Sequence, residues 1–143
     1  MPNYTAVGRN GVTVTKDVGL AEVWFEQGSQ TVEAHTEGVG APKVLNATTD
    51  VGKVLTNEGA AAKTYITLPT AVAGLWYQFF IQNVNGMRVM ASAGDTIRVG
   101  NTASIAAGYI ESTAIGAALF LVAINATEWV AMPADLNWQV QTS

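Results

Sequence analysis

The chain has 143 residues, of which 49% are hydrophobic and only 13% charged, with a net charge of -4, one histidine and no cysteine. Ordinary soluble domains carry about 25% charged residues, so a chain this poor in charge implies extensive cover by partners or packing into an assembly. The absence of cysteine excludes disulfides and thiolate zinc sites, and the seven basic residues are too dispersed to neutralise a run of phosphates, which argues against direct nucleic-acid binding.

Residues 1–43 differ from the rest. Large apolar residues are sparse there, and glycine recurs at Gly8, Gly11, Gly19, Gly28, Gly38 and Gly40. Two short alternating pieces, Gly11 to Thr15 and Leu20 to Glu26, predict strands in an extended N-terminal arm. Gly38-Val39-Gly40-Ala41-Pro42 reads as a connector, because glycine and proline interrupt regular structure. The alternative is that the strands of this region join the main sheet. The first ten residues are polar and lack the apolar core of a secretory signal. The longest apolar run, Ile115 to Ile124, falls short of the roughly 18 residues that a membrane helix needs.

Residues 44–143 read as a succession of short strands. Lys63 to Leu68 alternates and ends at Pro69. Leu75 to Val84 is the strongest strand: Leu75, Tyr77, Phe79 and Ile81 form one apolar face, and Trp76, Gln78, Phe80 and Gln82 a mixed one. Asn85-Gly86 predicts a two-residue hairpin turn leading to a return strand over Met87 to Ala91. Ala93-Gly94 marks another turn before Asp95 to Val99, where Ile97 and Val99 share a face. Gly100 to Ala107 reads as a loop and Tyr109 to Thr113 as a short strand. Ala117 to Ile124 is apolar on both faces, which predicts a central strand covered on both sides. It turns at Asn125-Ala126 into Thr127 to Met132, Pro133 stops that strand, and Asn137 to Val140 closes a sheet.

Turn signals at intervals of about 8–12 residues predict an all-β fold. The expected architecture is a compact β-sandwich or barrel of short antiparallel strands, jelly-roll-like, behind the arm. No repeat of fixed period is visible.

Catalytic chemistry finds little material. His35 is the single histidine, and no G-x-S-x-G turn accompanies it; a lone histidine in a polar segment reads as solvated. The chain therefore reads as non-enzymatic, without metal or cofactor. Glu22 and Glu26, like Glu33 and Glu37, share strand faces at four-residue spacing. That is roughly 13 Å in an extended strand, too far for a glycosidase pair. Aromatic residues are the remaining candidates for recognition. Trp24 and Phe25 are adjacent, so on a strand they face opposite ways and at least one needs cover beyond a single sheet face. Trp76 and Phe80, with Gln78 and Gln82, form a face with rings and amides but no charge. It suits either sandwich core or burial against an identical subunit. Phe79, Phe120 and Trp129 are expected in the core.

An ordered set of segments carries a resemblance. Val54-Leu55-Thr56-Asn57-Glu58-Gly59, Thr64-Tyr65-Ile66-Thr67-Leu68-Pro69 and Gly74-Leu75-Trp76-Tyr77-Gln78-Phe79 come first. Asn85-Gly86-Met87, Ala93-Gly94-Asp95-Thr96-Ile97, Thr127-Glu128-Trp129 and Asn137-Trp138 follow. Together, over about residues 52–140, the set resembles a small β-domain of tailed-bacteriophage virion proteins. The resemblance implies a capsid decoration or cement protein, commonly a homotrimer. It would be made in the host cytoplasm and bound to the major capsid protein on the capsid exterior, with no membrane partner. Trp24, Phe25, Trp76 and Phe80 are the expected contact residues. The alternative it implies is a head- or tail-fibre module that binds a host receptor or glycan. A polysaccharide hydrolase is the third reading.

Overall fold

The computed structural model describes the strands at 3–7 and 13–17 and residues 30–143. The chain divides into a unit of residues 1–30 and a unit of residues 31–143. In the first, β1 (Asn3–Val7) and β2 (Thr13–Asp17) pair antiparallel, with Asn3 opposite Asp17 and Val7 opposite Thr13. The predicted strand over Leu20 to Glu26 lies outside the described residues.

The second unit is all-β and begins at Thr31 rather than after residue 43. β3 (Val32–Ala34) and β4 (Lys43–Val44) both join its main sheets, so the glycine-rich segment 38–42 crosses between sheets inside the domain. The remaining strands are β5 (Val54–Thr56), β6 (Thr64–Thr67), β7 (Trp76–Phe80), β8 (Met87–Met90) and β9 (Thr96–Val99). They are followed by β10 (Thr102–Ala103), β11 (Tyr109–Ser112), β12 (Ala118–Ala123), β13 (Glu128–Ala131) and β14 (Gln139–Val140). They form a seven-stranded sheet, ordered β10-β9-β13-β12-β7-β5-β3, and a five-stranded sheet, ordered β14-β11-β8-β6-β4.

The expected antiparallel pattern holds for only part of this. β3, β5 and β7 pair in parallel in one sheet, and β4, β6 and β8 pair in parallel in the other. From β3 to β9 the chain changes sheet at every connection. It therefore winds like a short solenoid. Val32, Val54 and Gln78 stack in one column, and Lys43, Ile66 and Val89 in the other. The winding repeats about every 23 residues, within the range of solenoid periods. No sequence repeat announces it, because each coil needs only an inward apolar residue at the right parity, not the same residue. The second half is more conventional. β12 and β13 form a hairpin through residues 124–127, with Ile124 N–H donating to the Glu128 carbonyl (3.0 Å).

The Asn85-Gly86 hairpin does not form. β7 and β8, which it was expected to join, lie in different sheets. Gly86 takes a positive φ of 79° but Asn85 does not, whereas a type I′ turn needs both. The buried side chain of Asn57 organises this crossing instead. Its Oδ1 accepts from the amides of Gln82 (2.8 Å) and Asn83 (2.9 Å), and its Nδ2 donates to the carbonyls of Asn83 (2.9 Å) and Gly86 (3.1 Å).

The core lies between the sheets. Leu55, Tyr77, Phe79, Leu121 and Trp129 point inward from the larger sheet, and Ile66, Met87, Val89 and Ile110 from the smaller. Tyr77 and Trp129 pack with ring centroids 5.7 Å apart, and Trp138 meets Phe79 edge-on at 6.4 Å. Burying an aliphatic or aromatic side chain of this kind contributes about 1.5–3 kcal/mol. β12 is central, as expected, but covered on one face only. Leu119, Leu121 and Ala123 are buried, while Phe120 and Val122 on the other face are only partly buried.

Candidate interaction surface

The outer face of the seven-stranded sheet is built from the strand residues left over when the odd positions of β7 and β12 enter the core. Trp76, Gln78 and Phe80 project from β7, and antiparallel pairing sets Val122, Phe120 and Ala118 beside them. Parallel pairing with β5 adds Val54 next to Gln78. The Trp76 and Phe120 rings stack at 5.2 Å with an interplanar angle of 29°. Gly52, at φ 79°, lets the Trp76 indole pack close to the backbone; a Cβ there would come within 3.1 Å of the ring. Phe80 remains 38% exposed, and Val32 on the edge strand 65%.

Beside this aromatic pair lies a mostly apolar groove of about 350 Å³, with Val54, Phe80, Ala118, Phe120, Pro133 and Asp135 among its walls. Asp135 is anchored there. Its Oδ2 accepts from the Ala118 amide (3.0 Å), and its Oδ1 from the Asn137 amide (3.0 Å) and side chain (2.8 Å). Burial pushes its carboxyl up, but these hydrogen bonds outweigh it and hold the group below the usual aspartate range.

The outer face of the five-stranded sheet is different in kind. Glu111 Oε2 accepts from Lys63 Nζ (2.8 Å), Arg88 Nε (2.9 Å) and Arg88 Nη2 (2.8 Å). The Arg88 guanidinium lies 3.7 Å from the centre of the Tyr109 ring and 5.4 Å from that of Tyr65. Next to it, Ser112, Thr113, Asn137 and Gln139 help to line a polar groove of about 330 Å³.

His35 is not solvated, contrary to expectation: it is 4% exposed. Glu33 and Glu37 lie on either side, with Nε2 3.4 Å from a Glu33 oxygen and Nδ1 3.2 Å from the Glu37 carboxylate. Lys53 bridges Glu33 (2.6 Å) and Asp50 (2.7 Å), and Lys43 approaches Asp50 at 3.8 Å. Asp50 is pushed up by burial, but hydrogen bonds from Lys53 and the Asn46 amide, with the charge of Lys43, hold it below its usual value. Burial and the neighbouring Asp50 charge push the Tyr77 hydroxyl up to about 12, so it stays protonated and donates to the Asn46 carbonyl (3.1 Å). These groups knit the first coil together. Among the described residues, no three acids or histidines are placed to hold a metal ion.

Of the four residues singled out from the sequence, Trp76 and Phe80 lie together on the outer face. Trp24 and Phe25 lie outside the described residues. Phe79 and Trp129 are core residues as expected; Phe120 belongs to the outer face. Its even parity on β12 was the available signal, since the odd positions Leu119 and Leu121 already supply a complete inward face. Asp135 and Pro133 carried no local sign, because the loop that brings them to the groove is positioned by Ala118, on another strand. No family model matches the chain, and no curated protein is similar to it.

Proposed function

We propose that this chain is a non-enzymatic structural protein of a tailed-bacteriophage virion: a decoration or cement protein that binds the outside of the assembled head. In this reading it works as a homotrimer and bridges subunits of the major capsid protein. One observation carries the proposal most directly: the aromatic strip of Trp76, Phe120 and Phe80 on a sheet face that the domain leaves partly uncovered. Partly exposed aromatic residues of this kind serve as anchors at interfaces. Apolar area removed from water is worth about 25 cal/mol per Å², offset by the loss of rotational and translational freedom. Repetition over many symmetry-related copies makes even a modest contact effective. The ordered resemblance over residues 52–140 supports the same reading.

The test is occupancy on purified heads that lack the protein. Wild-type chain is expected to bind the particles and raise their resistance to heat. Phe80→Ser is expected to reduce occupancy about tenfold or more, the effect of removing an interface anchor, while leaving the unfolding midpoint nearly unchanged. Absence of the wild-type chain from mature particles and from reconstituted heads defeats the reading.

The polar groove at Ser112, Thr113, Asn137 and Gln139 favours a second reading, a fibre module that binds a host receptor or glycan. Its hydroxyls and carboxamides suit a neutral polyol. A glycan array probed with the free protein separates the two, since a decoration protein gives no specific sugar signal.

A further inference from the structure

We infer that the apolar groove beside Phe80 and Phe120 receives a segment of a different protein, in which a large apolar side chain stands next to a lysine or arginine. The inference rests on the decoration reading and names the chemistry of its partner. The groove has room for one aliphatic or aromatic side chain between Phe80, Phe120 and Pro133. Its charged member is Asp135, ionised at neutral pH and with its oxygens fixed by Ala118 and Asn137. Among the described residues, Asp135 pairs with no cation.

A second copy of the chain is poorly equipped to supply that cation. Each cation of residues 31–143 is already paired: Lys43 with Asp50, Lys53 with Glu33 and Asp50, Lys63 and Arg88 with Glu111, and Arg98 with Glu128. Docking one of them on Asp135 would compete with an existing ion pair. The other two, Arg9 and Lys16, belong to the first unit, where Lys16 stands opposite Tyr4 across the β1–β2 pair; a second copy presenting that pair is the rival that the experiment tests. An apolar groove with an anchored carboxylate at its wall, paired with no cation among the described residues, is therefore poorly matched by residues 31–143 of a second copy and suits a partner that brings both elements together. Electrostatic matching of this kind adds specificity more than affinity.

The experiment follows backbone amide shifts of the full-length chain during titration with three blocked dipeptide amides: acetyl-Leu-Arg, acetyl-Leu-Glu and acetyl-Gly-Arg. Acetyl-Leu-Arg is expected to move the amides of residues 78–80, 118–120 and 134–135. Acetyl-Leu-Glu is expected to bind about two- to fivefold more weakly, the size of a partly exposed charge pair, and acetyl-Gly-Arg more weakly still. Added salt should erase the difference between Arg and Glu in the wild-type chain. Asp135→Asn should erase it too, and Phe80→Ser should weaken both leucine peptides. Equal binding of the Arg and Glu peptides, shifts confined to other residues, or groove amides that move with protein concentration alone would overturn the inference, the last by showing a second copy in the groove. Particle occupancy separates this failure from that of the decoration reading. If Asp135→Asn and wild-type chain bind heads equally, the groove inference fails and the decoration reading stands. If the dipeptides bind as expected but heads do not, the reverse holds.

Discussion

Asn57 shows how much one buried side chain can organise. It lies outside any strand, is fully buried, and uses its carbonyl oxygen and its amide nitrogen for two hydrogen bonds each to the backbone of residues 82–86. Asn57→Ala would strand the amides of Gln82 and Asn83, each costing about 1–3 kcal/mol if left dry, whereas the carbonyls of Asn83 and Gly86 keep their bonds from the amides of Gly86 and Thr64. With partial relief by entering water, a net loss of about 3 kcal/mol is expected, read as a lower urea midpoint at unchanged slope. Glu111 makes a different prediction, in pH. Burial pushes its carboxyl up, but hydrogen bonds from Lys63 and Arg88, and their charges, outweigh that and leave it below the ordinary glutamate value of 4.5. A carboxylate depressed in the folded state stabilises the fold fully above its unfolded value, and that contribution is lost as pH falls through the folded one. Glu111→Gln should therefore lower stability by about 1–3 kcal/mol at pH 7. The gap between variant and wild type should close as acid is added below 4.5. A gap that persists unchanged in acid would mean that Glu111 acts through packing alone.

At the scale of elements, the crossings between sheets are more demanding than the strands. Gly86 sits where the chain passes from β7 to β8, at φ 79°, and a Cβ there would lie 2.4 Å from the Ser112 carbonyl oxygen and 2.8 Å from Thr113 Cγ2. Gly94 has a similar φ of 86° but nothing within 4 Å of the same position. Gly94→Ala should then cost only the conformational term, about 1 kcal/mol. Gly86→Ala adds a backbone clash and should cost at least about 2 kcal/mol more. Thermal unfolding of the two variants side by side checks the difference, and equal losses would show that the crossing relaxes freely. The strands themselves were largely legible. β6, β7, β9, β11, β12 and β13 fall where alternation and turn residues place them, because pleating alone decides which residues share a face. The Asn85-Gly86 turn was misleading because a turn dipeptide reports a reversal of the chain, not which strand lies beside the next one.

For the whole molecule, the described core is formed by residues of the second unit alone. A chain that begins at Thr31 is expected to unfold cooperatively with a single thermal midpoint, because it keeps every residue of the described core. Within the full chain, replacing both Trp24 and Phe25 by Ala should leave that midpoint in place and lower occupancy on heads. Unchanged occupancy would remove the arm from the contact. The alternation of apolar residues and the spacing of turn residues were enough to establish an all-β domain, because those properties act residue by residue or over a single strand. Three things emerged only in three dimensions: the parallel winding between two sheets, the burial of His35 between Glu33 and Glu37, and the meeting of Asp135 with Phe80 and Phe120 in one groove. Each depends on which distant segments come to lie side by side, and that is decided by the packing of the core and the hydrogen bonds of the crossings rather than by any local pattern.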